Sequence, residues 1–142
     1  MHEVLRHRLR VRYAECDQQG VVFNGHYLFY ADLALTELFR RTHGSYQALI
    51  DAGFDVVVAE ATVRFLAAAH FDEELDLRVV VTHLGDTSMR LAITVWHGTT
   101  AVAEVDTRHV FVDPGTGDKK IMSSELRSLL DRFAVGEDTR SG

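Results

Sequence analysis

The chain has 142 residues, 46% of them hydrophobic and 25% charged, which suits one globular domain with a real core and is too short for two. Its net charge of -6 argues against nucleic acid as the main partner, and no apolar run has the length of a signal-peptide core or a membrane span. The single cysteine, Cys16, excludes an intrachain disulfide and points to a reducing, cytoplasmic setting.

In chain order, "VLRHRLRVRY" alternates. Leu5, Leu9, Val11 and Tyr13, with His7 among them, point one way, and Arg6, Arg8, Arg10 and Arg12 the other. This predicts a half-buried strand whose basic row is a solvated face that discourages edge-to-edge pairing. Without interleaved aromatics the row is a poor track for single-stranded nucleic acid. After Gly25 the period changes: Tyr27, Leu28, Ala31, Leu35, Leu38 and Phe39 recur every three or four residues and predict a long helix, ended by "RRTHG". A short helix from Ser45 to Ala52, closed by Gly53, is expected next.

Four strand-like segments follow: "DVVVAEATVRFLA", "ELDLRVVVTHL", "SMRLAITVWH" and "AVAEVDTRHVFVD". "LGDTS" and "HGTT" read as hairpin turns between the last three, and "DPGTGDKK" as a loop. "SSELRSLLDRF" reads as a helix capped by Ser123 or Ser124, and "AVGEDTRSG" as a disordered end. One apolar helix beside one antiparallel sheet is an α+β layout in which the sheet wraps the helix. Dimerisation would cover the edge or face that a single copy leaves open.

The connection between the first strand and the long helix carries the most suggestive chemistry. Backbone N–H groups at a helix start lack intrahelical partners and favour an anion or a developing oxyanion. Asp17 lies a few residues upstream. A carboxylate beside such donors suits acyl transfer, as general base or as nucleophile. Gly20 and Gly25 would let backbone approach a substrate closely. Taken alone, an Asp before a helix is more often a cap or turn residue.

The spacing Asp17-x-x-Gly20-x-Val22-x-Asn24-x-x-Tyr27-x-x-Tyr30 resembles the signature of hotdog-fold acyl-CoA thioesterases, the 4-hydroxybenzoyl-CoA thioesterase-like group. "RYAEC" is similar to the end of that family's first strand, and "ATVRFLAAAHFDEELDLRVVV" resembles its second conserved block. "SMRLAITVWHG" and "AVAEVDTRHVFVD" fall where its last two strands should. The resemblance implies a single hotdog domain over residues 1–134, with about five antiparallel strands wrapped around a long central helix, followed by a tail over 135–142.

It also implies roles, residue by residue. Asp17 is the expected catalytic carboxylate and Asn24 the expected oxyanion contact, through its backbone N–H. Gly20, Val22, Phe23, His26 and Tyr27 are expected to line or support the site. Tyr27 and His26 are equally readable as ordinary helix residues. Pockets in such dimers form between subunits, so Glu60 and Thr62 are candidates to face Asp17 across the interface, Glu60 as a second acid or simply a solvent-facing strand residue. The hairpin "HLGDTS" lacks the Lys or Arg that some relatives use for coenzyme A phosphates, and Arg64 and Arg90 are the expected substitutes.

The expected activity is hydrolysis of an acyl-CoA thioester by a homodimer or homotetramer, with no metal and no redox cofactor, coenzyme A entering as part of the substrate. Eight histidines are scattered without the i, i+4 spacing of a helical zinc site. Cys16, flanked by Glu15 and Asp17, is a poor thiolate and reads as a small buried filler. Two alternatives remain: a module that binds acyl-CoA without hydrolysing it, which the presence of Asp17 disfavours, and a hotdog hydratase or dehydratase, whose catalytic His and acid motif is not found. Val21, Val22, Phe23 and the helix aromatics imply an apolar acyl pocket without separating aromatic from aliphatic chains.

Overall fold

The structure, a computed structural model, describes residues 3–135. Its elements run β1 (Leu5–Arg10), α1 (His26–His43), α2 (Tyr46–Asp51), β2 (Asp55–Phe65), β3 (Glu74–Leu84), β4 (Ser88–His97), β5 (Thr100–Val112) and α3 (Ser124–Asp131). The five strands pair antiparallel in the order β1-β3-β4-β5-β2. With α1 packed against β1, β2, β3 and β5, this is the hotdog arrangement expected from the resemblance.

Alternation builds the core. Leu75, Leu77, Val79 and Val81 of β3 and Met89, Leu91, Ile93 and Val95 of β4 turn one face inward and are buried. They meet Tyr30, Ala34, Leu38 and Phe39, which share one stripe of α1 at the spacing of a buried helix face. Gly44 ends α1 in the left-handed conformation (φ +91°), its N–H on Arg40 O. Ser45 and Ser123 cap α2 and α3, accepting from Ala48 N and Leu126 N.

Two readings change. The alternation of β1 stops at Arg10, where the chain enters a single 3-10 turn, Tyr13–Glu15, so Tyr13 is exposed and packs edge-on against Phe71 instead of entering the core. Val135 N still donates to Val81 O, beside a parallel bridge from Ala134 to Val81; residues 136–142 of the expected disordered tail lie outside the described residues. The arginine row of β1 is solvated as expected, with Arg8 and Arg10 paired to Glu74.

β2 stands apart. It is the outer strand beside β5, and Val57, Val58 and Phe65 are each about half exposed, on both faces of the strand.

Candidate active site

The site grows from the fifteen residues between β1 and α1. Asp17 N–H donates to Val21 O at 2.9 Å and Gly20 N–H to Asp17 O at 3.0 Å, closing a tight turn. Gly20 has φ +78° with open space where a side chain would stand, so the turn needs glycine for its backbone conformation and not for room. The Asp17 carboxylate is exposed. Its Oδ1 accepts from Gln19 N–H at 2.8 Å, and among the described residues Oδ2 has no protein donor. Val22 N–H to Ala69 O (2.8 Å) and Phe71 N–H to Gly20 O (3.0 Å) pin this turn to the segment between β2 and β3.

The chain then enters α1. His26 N–H bonds Phe23 O, Tyr27 N–H bonds Asn24 O and Leu28 N–H bonds Gly25 O, so the first helical amides close tight local turns. The Asn24 and Gly25 amides are left over: among the described residues neither donates to a protein acceptor, and no side chain caps the helix. Asn24 lines an open groove of about 320 Å³ with Val21, Val22 and Tyr27 on one side and Phe65 and Leu66 at the end of β2 on the other. Gly25 sits close under Phe23, where a Cβ would come within 3.1 Å of the ring.

The structure thus brings Val22, Asn24 and Tyr27 together, with Gly20 in the adjoining turn and Phe23 exposed beside it. His26 turns elsewhere. Its Nε2 lies 3.4 Å from Glu15 Oε2, and its ring stacks on Phe29. Cys16 is half-buried, and burial together with the charges of Glu15 and Asp17 pushes its thiol up, which disfavours a thiolate.

Glu60, Thr62, Arg64 and Arg90 fall on the other side of the sheet. A bulge between Val58 and Glu60 resets the alternation of β2: Val58 stands opposite buried His109, but Glu60 stands opposite Arg108 and Thr62 opposite Asp106, on the face away from α1. There Glu60 is exposed and pairs with Arg90 at 3.4 Å, while Arg64 pairs with Glu104 at 3.2 Å. Ala61, Val63 and Phe65 take the places toward the helix.

Sequence reasoning missed two polar centres. Glu15 is 7% exposed, and its Oε1 accepts from Arg12 N–H at 2.9 Å and from Tyr30 Oη at 2.8 Å. Burial pushes its carboxyl up, but the Arg12 amide, the Tyr30 hydroxyl and the nearby His26 and Arg12 charges outweigh it and hold the carboxyl below the usual Glu range. Burial and the same bond push the Tyr30 phenol up.

The second centre floors a cavity of about 250 Å³ between α1, β2 and β5, lined by Leu28, Ala31, Asp32, Ala61, Thr107 and His109. His109 Nε2 lies 2.9 Å from Thr107 Oγ1, its Nδ1 is buried without a partner, and burial lowers its pKa to about 4. The signal for this pair was in the alternation. Thr107 and His109 fall in phase with Val105 and Phe111, the core-facing positions of β5. Among the described residues, no three His, Cys, Asp or Glu side chains form a group that could hold a metal ion.

A family model described as Thioesterase superfamily matches residues 19–104 of the chain. The acyl-CoA thioester hydrolase YbgC of Escherichia coli O157:H7 is 31% identical over 112 residues, which cover 78% of this chain and 84% of that protein. Among solved structures, a hypothetical protein from Thermus thermophilus superposes with a TM-score of 0.85 at 25% identity, over 94% of this chain and 100% of the other. A thioesterase-superfamily structure from Jannaschia sp. CCS1 has a TM-score of 0.88 at 18% identity, over 94% of each chain, a likeness of fold alone.

Proposed function

The chain belongs to the thioesterase superfamily and is a thioester hydrolase acting on acyl-CoA; from that premise we propose that Asp17 is its catalytic carboxylate and the Asn24 amide its oxyanion donor. The thioester carbonyl enters the groove at the start of α1, its oxygen toward the Asn24 N–H. Asp17 takes a proton from water, the hydroxide attacks the carbonyl carbon, and the tetrahedral oxyanion is held by the amide and the positive end of α1. Collapse breaks the C–S bond, and the departing coenzyme A thiolate takes the proton back from Asp17. Direct attack by Asp17, with a mixed anhydride then hydrolysed by water, uses the same groups.

The observation that carries this reading is the adjacent pair of amides at Asn24 and Gly25, without a protein acceptor among the described residues, at the start of α1 where Asn24 lines the groove. A free carboxylate oxygen on Asp17, in the turn that leads there, adds to it. The acyl group extends along α1 toward the cavity lined by Leu28, Ala31 and Ala61, which is apolar except for its Thr107–His109 floor and the Asp32 rim. The reaction uses protein groups and water, with coenzyme A entering as part of the substrate.

The working form is a homodimer, paired through the exposed β2 edge, or a tetramer of such dimers; half-exposed Val57, Val58 and Phe65 support it. Glu60 and Thr62 would then serve a site only across that edge, and Arg64 and Arg90 would meet coenzyme A phosphates only where the ligand crosses it. A free Cys16 fits a reducing cytoplasm.

The deciding experiment is thiol release from short, long and aromatic acyl-CoAs by wild type and Asp17→Asn. Turnover that the substitution removes without unfolding supports the assignment, and the best substrate reports the pocket. Turnover indifferent to Asp17 would sink the mechanism, and silence across the panel would favour a binding module.

A further inference from the structure

Glu15 is the only acidic side chain buried among the described residues, and the mechanism above does not use it. Burying a carboxylate is expensive unless its oxygens are well occupied, and an apolar residue of similar size is often as stable there. Here Oε1 accepts two hydrogen bonds and Oε2 faces two nitrogens at ion-pair distance, from different parts of the chain. Arg12 N–H, at the exit of β1, and the Tyr30 hydroxyl, in the second turn of α1, meet Oε1. Arg12 Nε and His26 Nε2 lie 3.5 and 3.4 Å from Oε2. The Glu15 carbonyl accepts from Phe23 N–H at 3.0 Å, immediately before Asn24.

One residue therefore ties the chain on both sides of the proposed chemistry. Asp17 follows it by two positions, Asn24 follows its backbone partner Phe23 by one, and Tyr30 carries the link into the body of the helix. We propose that Glu15 is a positioning residue: through Tyr30 and the Phe23 amide it fixes the separation between the Asp17 carboxylate and the Asn24 amide. The inference rests on the catalytic reading of those two groups. A displacement of about 1 Å between a catalytic group and its target lowers a rate by about 100-fold, so a tie of this kind is read in turnover more than in binding.

Three variants test it: Glu15→Ala, which removes every side-chain bond; Glu15→Gln, which keeps the acceptor for Tyr30 and Arg12; and Tyr30→Phe, which removes one hydroxyl and keeps the ring. Each is assayed for thiol release after its folded fraction is fixed by circular dichroism and its melting temperature. The expected result is a fall in kcat of about 10- to 100-fold for Glu15→Ala and a smaller fall for Tyr30→Phe, with KM within about twofold of wild type. Glu15→Gln recovers most of the loss. If Glu15→Ala does not fold, Tyr30→Phe against wild type decides. Variants whose kcat per folded molecule matches wild type, or in which KM rises and kcat holds, overturn the proposal and leave Glu15 a structural tie. A failure of the catalytic reading itself looks different: wild type and Asp17→Asn then turn over equally, whatever Glu15 does.

Discussion

The β1–α1 connection and strand β2 border the same groove and are built in opposite ways. The connection is irregular and tied at several points to the body of the chain. Its backbone is held by Glu15, Ala69 and Phe71, and it finishes the Asp17 turn and the start of α1 within one chain. β2 is long and regular, yet one edge and much of both its faces are uncovered, with valines and a phenylalanine about half exposed. One border of the groove is therefore complete in a single chain, and the other is left half uncovered. The irregular loop is closed within its own chain and the regular strand is the exposed border.

Substitutions that act on one border and spare the other sharpen this contrast. The largest effect is expected at the connection. Asp17→Asn lowers kcat by about 100- to 10,000-fold, the range for losing a general base, while size-exclusion elution stays that of wild type. At β2, Val57→Lys places like charges along the proposed pairing edge without entering the acyl cavity, which Val58 lines. The expected outcome is a monomer by light scattering that keeps its circular dichroism spectrum and has lost thiol release. A dimer that survives those charges places the interface elsewhere.

Acid separates the two buried polar centres, one in the connection and one on β5. Burial holds His109 neutral in the folded chain down to about pH 4, whereas an exposed imidazole protonates near pH 6.5. Between those values the unfolded chain binds the extra proton, so stability falls as pH drops, by on the order of 3 kcal/mol at the lower end. His109→Leu should flatten that slope in urea titrations run at pH 7 and 4.5. Glu15 has the opposite shift: its folded carboxyl lies below the usual 4.5, so its contribution is full above that value and is lost only as pH falls further. The smallest effect is expected at the turn. Gly20→Ala adds no clash but forces a side chain into φ +78°, a loss of about 1–2 kcal/mol in thermal denaturation.

Most of the fold was legible because periodicity reports burial directly. The three-to-four spacing of Tyr27 through Phe39 and the twofold spacing of Leu75 through Val81 belong to core-facing stripes. Tyr13 misled because alternation continues past the residue where the chain turns. Of the candidate groove, Val22, Asn24 and Tyr27 were readable as neighbours, since the geometry of a helix start is local in sequence, whereas His26 in the same stretch turns to Glu15. Glu15 was not, because its partner Tyr30 stands fifteen positions away and a lone carboxylate has no period. "DVVVAEATVRF" reads as a strand, and its apolar composition does not say which of its valines the fold leaves exposed.

The bulge in β2 has a consequence for how this gene product can vary. Val58, Glu60, Thr62 and Arg64 are evenly spaced, and in an unbroken strand they would share one side. The additional residue between Val58 and Glu60 separates them. Deleting Ala59 would remove the bulge and leave the faces as they are, Val58 inward, Glu60, Thr62 and Arg64 outward, and Ala61, Val63 and Phe65 toward the helix. Removing the codon for Ala59 therefore keeps the lining of the groove, whereas removing one past Glu60 would turn the rest of the strand over.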